Sequence, residues 1–449
     1  MKNLEKMFYP KSIALIGASD KEGSVGKTIS ENLLDYKDGE IYFVNPRITK
    51  LFNKPVYKSV LEIKKPIDLG IIAVPAETAI EITKQLGEIG CKNILIISAG
   101  FNEIGKIELT NKLLELQKKY NLNIIGPNCL GFLNLQNKLD ATFNSRKKLN
   151  LPKQGNISFI SQSGALGIAI LDLANYDNLK INKFISYGNA IDTNECDLIE
   201  YLYTDKDTDV IMCYIEGTSN GKRFYQTIKE VSKTKKIIVL KGGLGKKGGG
   251  AVKSHTAAMI GSSETFKVAV EQAGGYFVES IEEMFNLAKT FSIYKNINLR
   301  NIQIITNGGG FGVLVTDQIE QSGMPLAKIK KQTYEKIKKN VPEYAVIKNP
   351  IDLTGDATTQ RFITTINYCL EDTNVSGIII LFLFQLPGIT QDIIPEIINI
   401  KKQAKKPIFI MTIGGNITRE WINKLKDQDI VCFKDPSDFG KTIKKIYKK

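Results

Sequence analysis

The sequence predicts an α/β protein built from doubly wound parallel sheets, and three observations predict it. Short runs rich in Ile, Val, Leu and Phe alternate with helical patterns along the whole chain. Parallel strands covered on both faces by crossover helices read this way. Those runs end repeatedly in Gly, Pro, Ser or Asn, which turn a strand toward the next element. One pattern occurs twice, because residues 157–167 and residues 302–312 both read as strand, polar glycine turn and helix start. With 449 residues the chain has room for about three such units, each able to bury a core.

The first unit opens with a strand at 12–16, then Gly17-Ala18-Ser19, then Gly23-Ser24-Val25-Gly26 and a helix from about Lys27. Further strands are expected at 41–44, 69–74, 93–98 and 123–125. Ligands of doubly wound sheets bind at the carboxyl ends of such strands. The glycine turn departs from G-x-G-x-x-G, reading G-A-S-x-x-x-G-S-V-G, and taken by itself is a weak signal. The second strand is more telling. An NAD-binding sheet carries Asp or Glu at its end to hold a ribose diol, whereas this chain has Asn45-Pro46-Arg47. A cation there suits a phosphorylated ribose, as in coenzyme A or NADP.

The second and third units share their pattern but not their equipment. Ser161-Gln162-Ser163-Gly164 answers Asn307-Gly308-Gly309-Gly310, with Gly312 closing the second turn, and Asn189-Ala190-Ile191-Asp192 answers Asn349-Pro350-Ile351-Asp352. The strand at 210–215 answers the run 378–384, and 236–243 answers 406–415. Both glycine turns stand where a strand hands over to a helix, where free N–H groups and the positive dipole end favour an anion. Glu216 follows one strand of the first copy, and the only histidine of the chain, His255, follows its last. The second copy has Leu383-Phe384-Gln385 in the first place and runs straight into a helix in the second. A packing role should survive in both copies, so Glu216 and His255 are the candidate catalytic residues.

His255 ends a passage with six glycines and four lysines between Lys241 and Lys253. Any histidine chemistry in this chain runs through that one imidazole, which can titrate near neutral pH or attack an electrophile. The cationic, glycine-rich approach suits phosphate. The order Ser163, Glu216, His255 is also that of an α/β-hydrolase triad, although the G-x-S-x-G elbow is missing. A serine hydrolase, a CoA-binding regulatory protein without catalysis and an NAD(P) oxidoreductase all stay open on the residues alone.

Composition narrows the class. A hydrophobic content of 43% and a charged fraction of 24% are ordinary for a soluble globular chain. The net charge of +14 comes from lysines spread along the sequence, which suits attraction for nucleotides without any base-reading motif for nucleic acid. The six cysteines are scattered, with no C-x-x-C pair and one histidine to complement them, so neither a metal site nor a disulfide framework is expected. A reducing cytoplasm follows. No signal peptide is read at the start, and the greasiest run, 378–384, is too short for a membrane span and suits a buried strand.

These motifs together resemble the α subunit of ADP-forming (NDP-forming) acetate–CoA ligases, relatives of succinyl-CoA synthetase. The resemblance rests on Gly17-Ala18-Ser19 with Gly23-Ser24-Val25-Gly26, Val44-Asn45-Pro46, Gly126-Pro127-Asn128-Cys129-Leu130-Gly131, Ser161-Gln162-Ser163-Gly164-Ala165, Tyr214-Ile215-Glu216-Gly217, Ser254-His255-Thr256 and Asn349-Pro350-Ile351-Asp352-Leu353-Thr354-Gly355. Seven motifs in this order cover nearly the whole chain. Ala257 stands where the family has Gly, and Arg47 stands where it has Lys. The resemblance implies a Rossmann-like CoA-binding domain at 1–145 and two flavodoxin-like ligase domains at 146–296 and 297–449, the first carrying a phosphohistidine loop. It implies the reaction acyl-CoA + ADP + phosphate ⇌ carboxylic acid + CoA + ATP through phosphorylated His255 supported by Glu216. Ser161, Gln162, Ser163 and Gly164 would cradle the phosphate together with Gly308, Gly309, Gly310 and Gly312. Gly17, Ser19, Gly23, Val25, Arg47, Val74, Ser98 and Asn128 would meet coenzyme A. Nothing in the three units reads as an ATP-grasp domain, so ADP, ATP and Mg²⁺ are expected on a separate β subunit, in an α2β2 heterotetramer.

Overall fold

The computed structural model describes residues 2–243 and 263–447. The chain divides into two units, Met1–Ile281 and Glu282–Lys449. The first unit holds two sheets and the second holds one.

The first sheet contains β1 (Ser12–Ile16), β2 (Glu40–Val44), β3 (Lys50–Leu51), β4 (Lys54–Tyr57), β5 (Leu69–Ile72), β6 (Asn93–Ile96) and β7 (Asn123–Ile125) in the order β3-β4-β2-β1-β5-β6-β7. Apart from the short β3–β4 pair its ladders are parallel, which is the Rossmann arrangement. Every residue of β1 is buried, as a run without polar alternation requires. The order reverses at β1, with β2 on one side and β5 on the other, so a crevice opens beyond their carboxyl ends. The helix expected from Lys27 begins at Val25, because the Ser24 hydroxyl accepts the Lys27 N–H at 3.2 Å and caps it there.

The second sheet contains β8 (Gly131–Asn134), β9 (Leu139–Asp140), β10 (Gln154–Ser161), β11 (Ile181–Ser186), β12 (Val210–Ile215), β13 (Lys236–Lys241) and β14 (Tyr276–Val278), ordered β14-β13-β12-β10-β11-β8-β9. Its parallel part, read from β11, has the flavodoxin-like order 2-1-3-4-5. Strands β8 and β9 extend it antiparallel, a pairing the sequence did not announce. One hydrophobic cluster runs from Ile13 and Phe43 of the first sheet to Ile160, Ile211 and Phe277 of the second, so the two sheets share a core.

The second unit contains β15 (Gln303–Thr306), β16 (Val346–Ile347), β17 (Ile351–Asp352), β18 (Ile378–Phe382), β19 (Ile408–Thr412) and β20 (Val431–Phe433), ordered β16-β17-β15-β18-β19-β20. This is again 2-1-3-4-5 with an antiparallel edge, and the greasy run expected as a strand is its fully buried β18. The fold is thus α/β, with a Rossmann-like sheet followed by two flavodoxin-like sheets.

The registers test the internal repeat residue by residue. Ser161 pairs with Tyr214 in the first copy and Thr306 with Leu381 in the second, so Glu216 and Leu383 occupy the same place, two residues on. The match of Asn189-Ala190-Ile191-Asp192 with Asn349-Pro350-Ile351-Asp352 is corrected. Asp352 is level with Thr306 as Ser186 is level with Ser161, so the counterpart of β17 is the end of β11, and Asn189 lies in the loop beyond. A shared Asn-x-Ile-Asp string had aligned a loop with a strand. Among the described residues no helix is long and apolar enough to cross a membrane.

Candidate active site

A cavity of about 920 Å³ opens at the carboxyl ends of the first sheet and reaches the glycine turn of the second, within the first unit. Its size is that of a small-molecule or cofactor site, roughly 300–1,000 Å³. The geometry of the first sheet explains why it forms there. Gly17 follows β1 at φ +93°, and a Cβ on it would come 2.4 Å from the Ala73 carbonyl oxygen. Gly26 brings the helix Val25–Leu33 so close that a Cβ would meet the Gly17 oxygen at 1.9 Å. Two missing side chains therefore let a helix start, a strand end and a neighbouring loop converge.

Of the residues expected to meet coenzyme A, Val25, Val74, Ser98 and Asn128 line this cavity. The Ser98 hydroxyl donates to the Val74 carbonyl and the Asn128 N–H donates to the Ser98 carbonyl at 2.8 Å, which knits the three loops together. Gly17, Ser19, Gly23 and Arg47 are not on its wall. Gly17 shapes the turn behind it, Ser19 accepts the Lys21 N–H at 3.0 Å, and Gly23 takes φ +74° in the same turn. Arg47 is exposed beyond β2, on a turn tied to the β1 loop by Asn45 Nδ2 donating to Ala18 at 2.7 Å.

Gln162, Ser163 and Gly164 form the opposite wall. Ser163 caps the helix Gly164–Tyr176, accepting the Leu166 N–H at 3.4 Å, so the positive end of a 13-residue helix faces the cavity. Ser163 is extended, at φ −94° and ψ 123°, without the strained elbow of a hydrolase nucleophile. Ser161 is buried beneath, its hydroxyl donating to the Ser163 carbonyl at 2.7 Å.

Behind Gln162 stands Glu216. Gln162 Oε1 accepts the N–H groups of Glu216 at 2.7 Å and Gly217 at 3.2 Å, so one side chain joins the cavity wall to the candidate acid. Glu216 is 7% exposed. The Tyr214 hydroxyl, pushed up to about 12 by burial and by Glu216, donates to its Oε1 at 3.5 Å. Lys241, 5% exposed, donates to the carbonyls of Glu216 at 3.0 Å and Gly242 at 2.9 Å. Burial draws its ammonium below the ordinary lysine range while Glu216 opposes that shift. Gly242 passes so near that a Cβ would sit 3.5 Å from Glu216 Cγ. The chain thus leaves β13 past Glu216 on its way to His255. His255 itself, with Ser254 and Thr256, lies outside the described residues.

The second turn belongs to the second unit. Gly308 caps the helix Gly309–Ser322, whose first turn holds Gly309, Gly310 and Gly312. Asn307 does there what Gln162 does in the first copy, its Oδ1 accepting the Leu383 N–H at 2.9 Å. A Cβ on Gly309 would fall 2.8 Å from Asp352 Oδ2, so a carboxylate borders this helix start. Sequence reasoning did not single out Tyr214, Lys241 or Asn189, the last of which lines the cavity. The first two flank Glu216 directly, but nothing in a tyrosine or a strand-end lysine marks it from sequence. Among the described residues no group of His, Cys, Asp or Glu could hold a metal ion.

Comparison with known proteins gives this geometry its context. The CoA binding domain family matches residues 11–134, the succinyl-CoA ligase like flavodoxin domain residues 154–291 and the ligase-CoA domain residues 302–440. The chain is 39% identical to the acetate–CoA ligase [ADP-forming] of Methanocaldococcus jannaschii over 99% of its own length and 63% of that protein's. It is 35% identical to the acetate–CoA ligase [ADP-forming] II subunit alpha of Pyrococcus furiosus over 97% of its length and 95% of the relative's. A solved structure of the dinucleotide forming acetyl-coenzyme A synthetase 1 of Ca. Korarchaeum cryptofilum, in complex with phosphate and ADP, superposes with a TM-score of 0.93 at 32% identity, covering 100% of this chain and 97% of that one. The chain spans less than two thirds of the M. jannaschii relative and matches the α subunit of P. furiosus almost from end to end. With three matching domain families along the chain and a relative 35% identical that it covers to 95%, the chain belongs to the ADP-forming acetate–CoA ligase family.

Proposed function

We propose that this chain is the α subunit of an ADP-forming acyl-CoA synthetase acting on acetyl-CoA or a related small thioester. The observation that carries the reading is the cavity that joins a Rossmann switch point to a serine-capped helix start, with Glu216 one side chain behind it. In it, phosphate attacks the thioester carbonyl and displaces CoA, forming an acyl phosphate. The imidazole of His255 then takes the phosphoryl group and releases the carboxylate. Transfer from His255 to ADP yields ATP and restores the imidazole.

The chain's own residues divide this work. The turns after β1, β5 and β6 take up CoA, with Gly17 and Gly26 leaving space where side chains would block it. Arg47 addresses the ribose phosphate. The N–H groups of Gly164 and Ala165 and the Ser163 hydroxyl meet the phosphate, and the glycine turn at Gly308 to Gly312 is a phosphate-binding turn of the second unit. Glu216 accepts a hydrogen bond from the imidazole, fixing its tautomer and supporting the charge that develops. His255 lies twelve positions beyond Gly243 in the sequence, outside the described residues.

Several finer points belong to the same proposal. The domains divide at about 1–145 for CoA, 146–296 for phosphoryl transfer and 297–449 for the second cradle. ADP, ATP and Mg²⁺ are held by an ATP-grasp β subunit in an α2β2 assembly, a reading supported by relatives named as α subunits. The compartment is the cytoplasm, in keeping with six free thiols.

The test is phosphorylation. Mixed with its partner subunit, Mg²⁺ and γ-labelled ATP, the chain is expected to take up label that survives alkali and is lost in acid. His255→Ala should take none, and Glu216→Gln should label at least about a hundredfold more slowly. A wild type that stays unlabelled, or equal labelling of His255→Ala, would overturn the mechanism.

A further inference from the structure

Glu103, which the reaction above leaves idle, begins a directed chain of hydrogen bonds that ends on the cavity wall. Its Oε1 accepts the backbone N–H of Gly100 and, at 3.1 Å, that of Phe101, while its Oε2 accepts Asn189 Nδ2 at 2.6 Å. Asn189 Nδ2 also donates to Asn102 Oδ1 at 2.7 Å, so its two hydrogens are committed on this side. Its Oδ1 accordingly faces the other way and accepts Asn128 Nδ2 at 3.1 Å.

A carboxylate only accepts, whereas a primary amide has a donor end and an acceptor end. Turning the Asn189 amide over would set its oxygen against the Glu103 carboxylate. Turning Asn128 over would set two amide oxygens together. The orientation of both amides is therefore dictated by Glu103. Backbone geometry holds the far end still, because Asn128 sits at φ +56° with its N–H bonded to Ser98, and Asn189 donates its own N–H to Pro127 at 3.0 Å. Burial raises the Glu103 carboxyl, yet the hydrogen bonds from Gly100, Asn189 and Phe101 outweigh it and leave the group below the usual carboxylate range.

Resting on the CoA reading above, we propose that Glu103 is a positioning residue that acts through Asn189 to fix the donor and acceptor Asn128 presents to the arm of coenzyme A. Asn128 lines the cavity and donates to Asn189 through Nδ2, so on this reading it meets the arm with its Oδ1 and its second Nδ2 hydrogen. Each amide of the pantetheine arm offers one N–H and one carbonyl, so an amide held in one orientation selects one pose of the arm. An amide able to turn over would select none.

The charge can be moved along the chain to test this. In Glu103→Gln the new amide oxygen serves the N–H groups of Gly100 and Phe101, which leaves its NH₂ facing the NH₂ of Asn189. Donor meets donor, and the relay reverses. Adding Asn189→Asp supplies a carboxylate that accepts from the new amide on one side and from Asn128 on the other. Titration calorimetry of the full-length chain with CoA and with acetyl-CoA reads the outcome. Glu103→Gln is expected to bind about tenfold more weakly, and Glu103→Gln/Asn189→Asp within about threefold of wild type. Unchanged affinity in the single variant, or no recovery in the double variant, overturns the relay. Should Glu103→Gln fail to fold, the double variant alone decides, since affinity near wild type supports the relay and its loss refutes it. A wild type that binds neither ligand overturns the CoA reading and the proposal with it, an outcome distinct from a relay failure, in which wild type binds.

Discussion

Arg47 is the only arginine or lysine of the Asn45-Pro46-Arg47 turn, and its value depends on the ligand having a phosphate to meet it. Its backbone N–H is held by Asn45 Oδ1 at 2.9 Å and Asn45 is bound to the β1 loop, so the guanidinium has a fixed root on an exposed turn. A guanidinium and a phosphate form a strong, charge-assisted pair that a neutral hydroxyl cannot replace. Arg47→Ala is expected to weaken CoA binding roughly tenfold, about 1.4 kcal/mol, and to leave dephospho-CoA binding within about twofold. Equal losses for both ligands would assign Arg47 some other role. Arg47 was singled out from sequence because its position after a strand carries the chemical meaning, although it stands off the cavity wall. Glu216 was singled out for another reason, the internal repeat, whose registers give it the same place as Leu383. Glu103 and Asn189 were not legible. They are 86 positions apart and their function lies in which end of an amide points where, which no local pattern records.

At the scale of elements, the close packing of the helix Val25–Leu33 on the β1 turn decides whether the crevice exists. Alanine is the better helix former by about 1 kcal/mol, so propensity alone would favour Gly26→Ala. The contact opposes it. A methyl 1.9 Å from the Gly17 oxygen cannot be accommodated unless the helix retreats, and overpacking of this kind costs about 1–3 kcal/mol or more. Gly26→Ala is expected to lower stability by about 2 kcal/mol in denaturant titrations and to weaken CoA binding at least tenfold. Gly90 is the control, since nothing lies near a Cβ there, it stands off the cavity wall and only its φ of +85° is at stake. Gly90→Ala should cost about 1 kcal/mol and leave CoA affinity nearly unchanged. Comparable loss of CoA binding in both would remove the steric explanation. Strand positions were legible from their unbroken apolar runs, but their ends were not. The strands expected to reach Val74 and Ser98 stop at Ile72 and Ile96, because the next residues bend out of the ladder to build the cavity. The pairing of β8 with β11 and of β9 with β8 was invisible for a related reason, since four- and two-residue strands leave no periodicity to read.

At the scale of the whole molecule, the six cysteines report on how the chain opens. All are free and buried. Burial pushes the thiols of Cys91, Cys129, Cys196 and Cys369 up to about 12 and that of Cys432 to about 11, and raises Cys213 as well. The thiolate is the reacting species, so at pH 8 a disulfide reagent such as dithionitrobenzoate should find no rapidly reacting thiol in the native protein and six in denaturant. Slow reaction under native conditions then measures opening. Cys91, Cys129, Cys196 and Cys213 lie in residues 1–281, and Cys369 and Cys432 in residues 282–449. The two sheets of the first unit share a hydrophobic cluster, and the cluster of the second unit contains none of those residues. Two phases with amplitudes of four and two thiols are expected. CoA binds within the first unit on the reading proposed here, so a concentration near 100 Kd should stabilise that unit by about 2.7 kcal/mol and slow the four-thiol phase about a hundredfold. The two-thiol phase should keep its rate. A single phase of six, slowed as one by CoA, would show instead that both units open together and that ligand energy taken up in the first is felt throughout the chain.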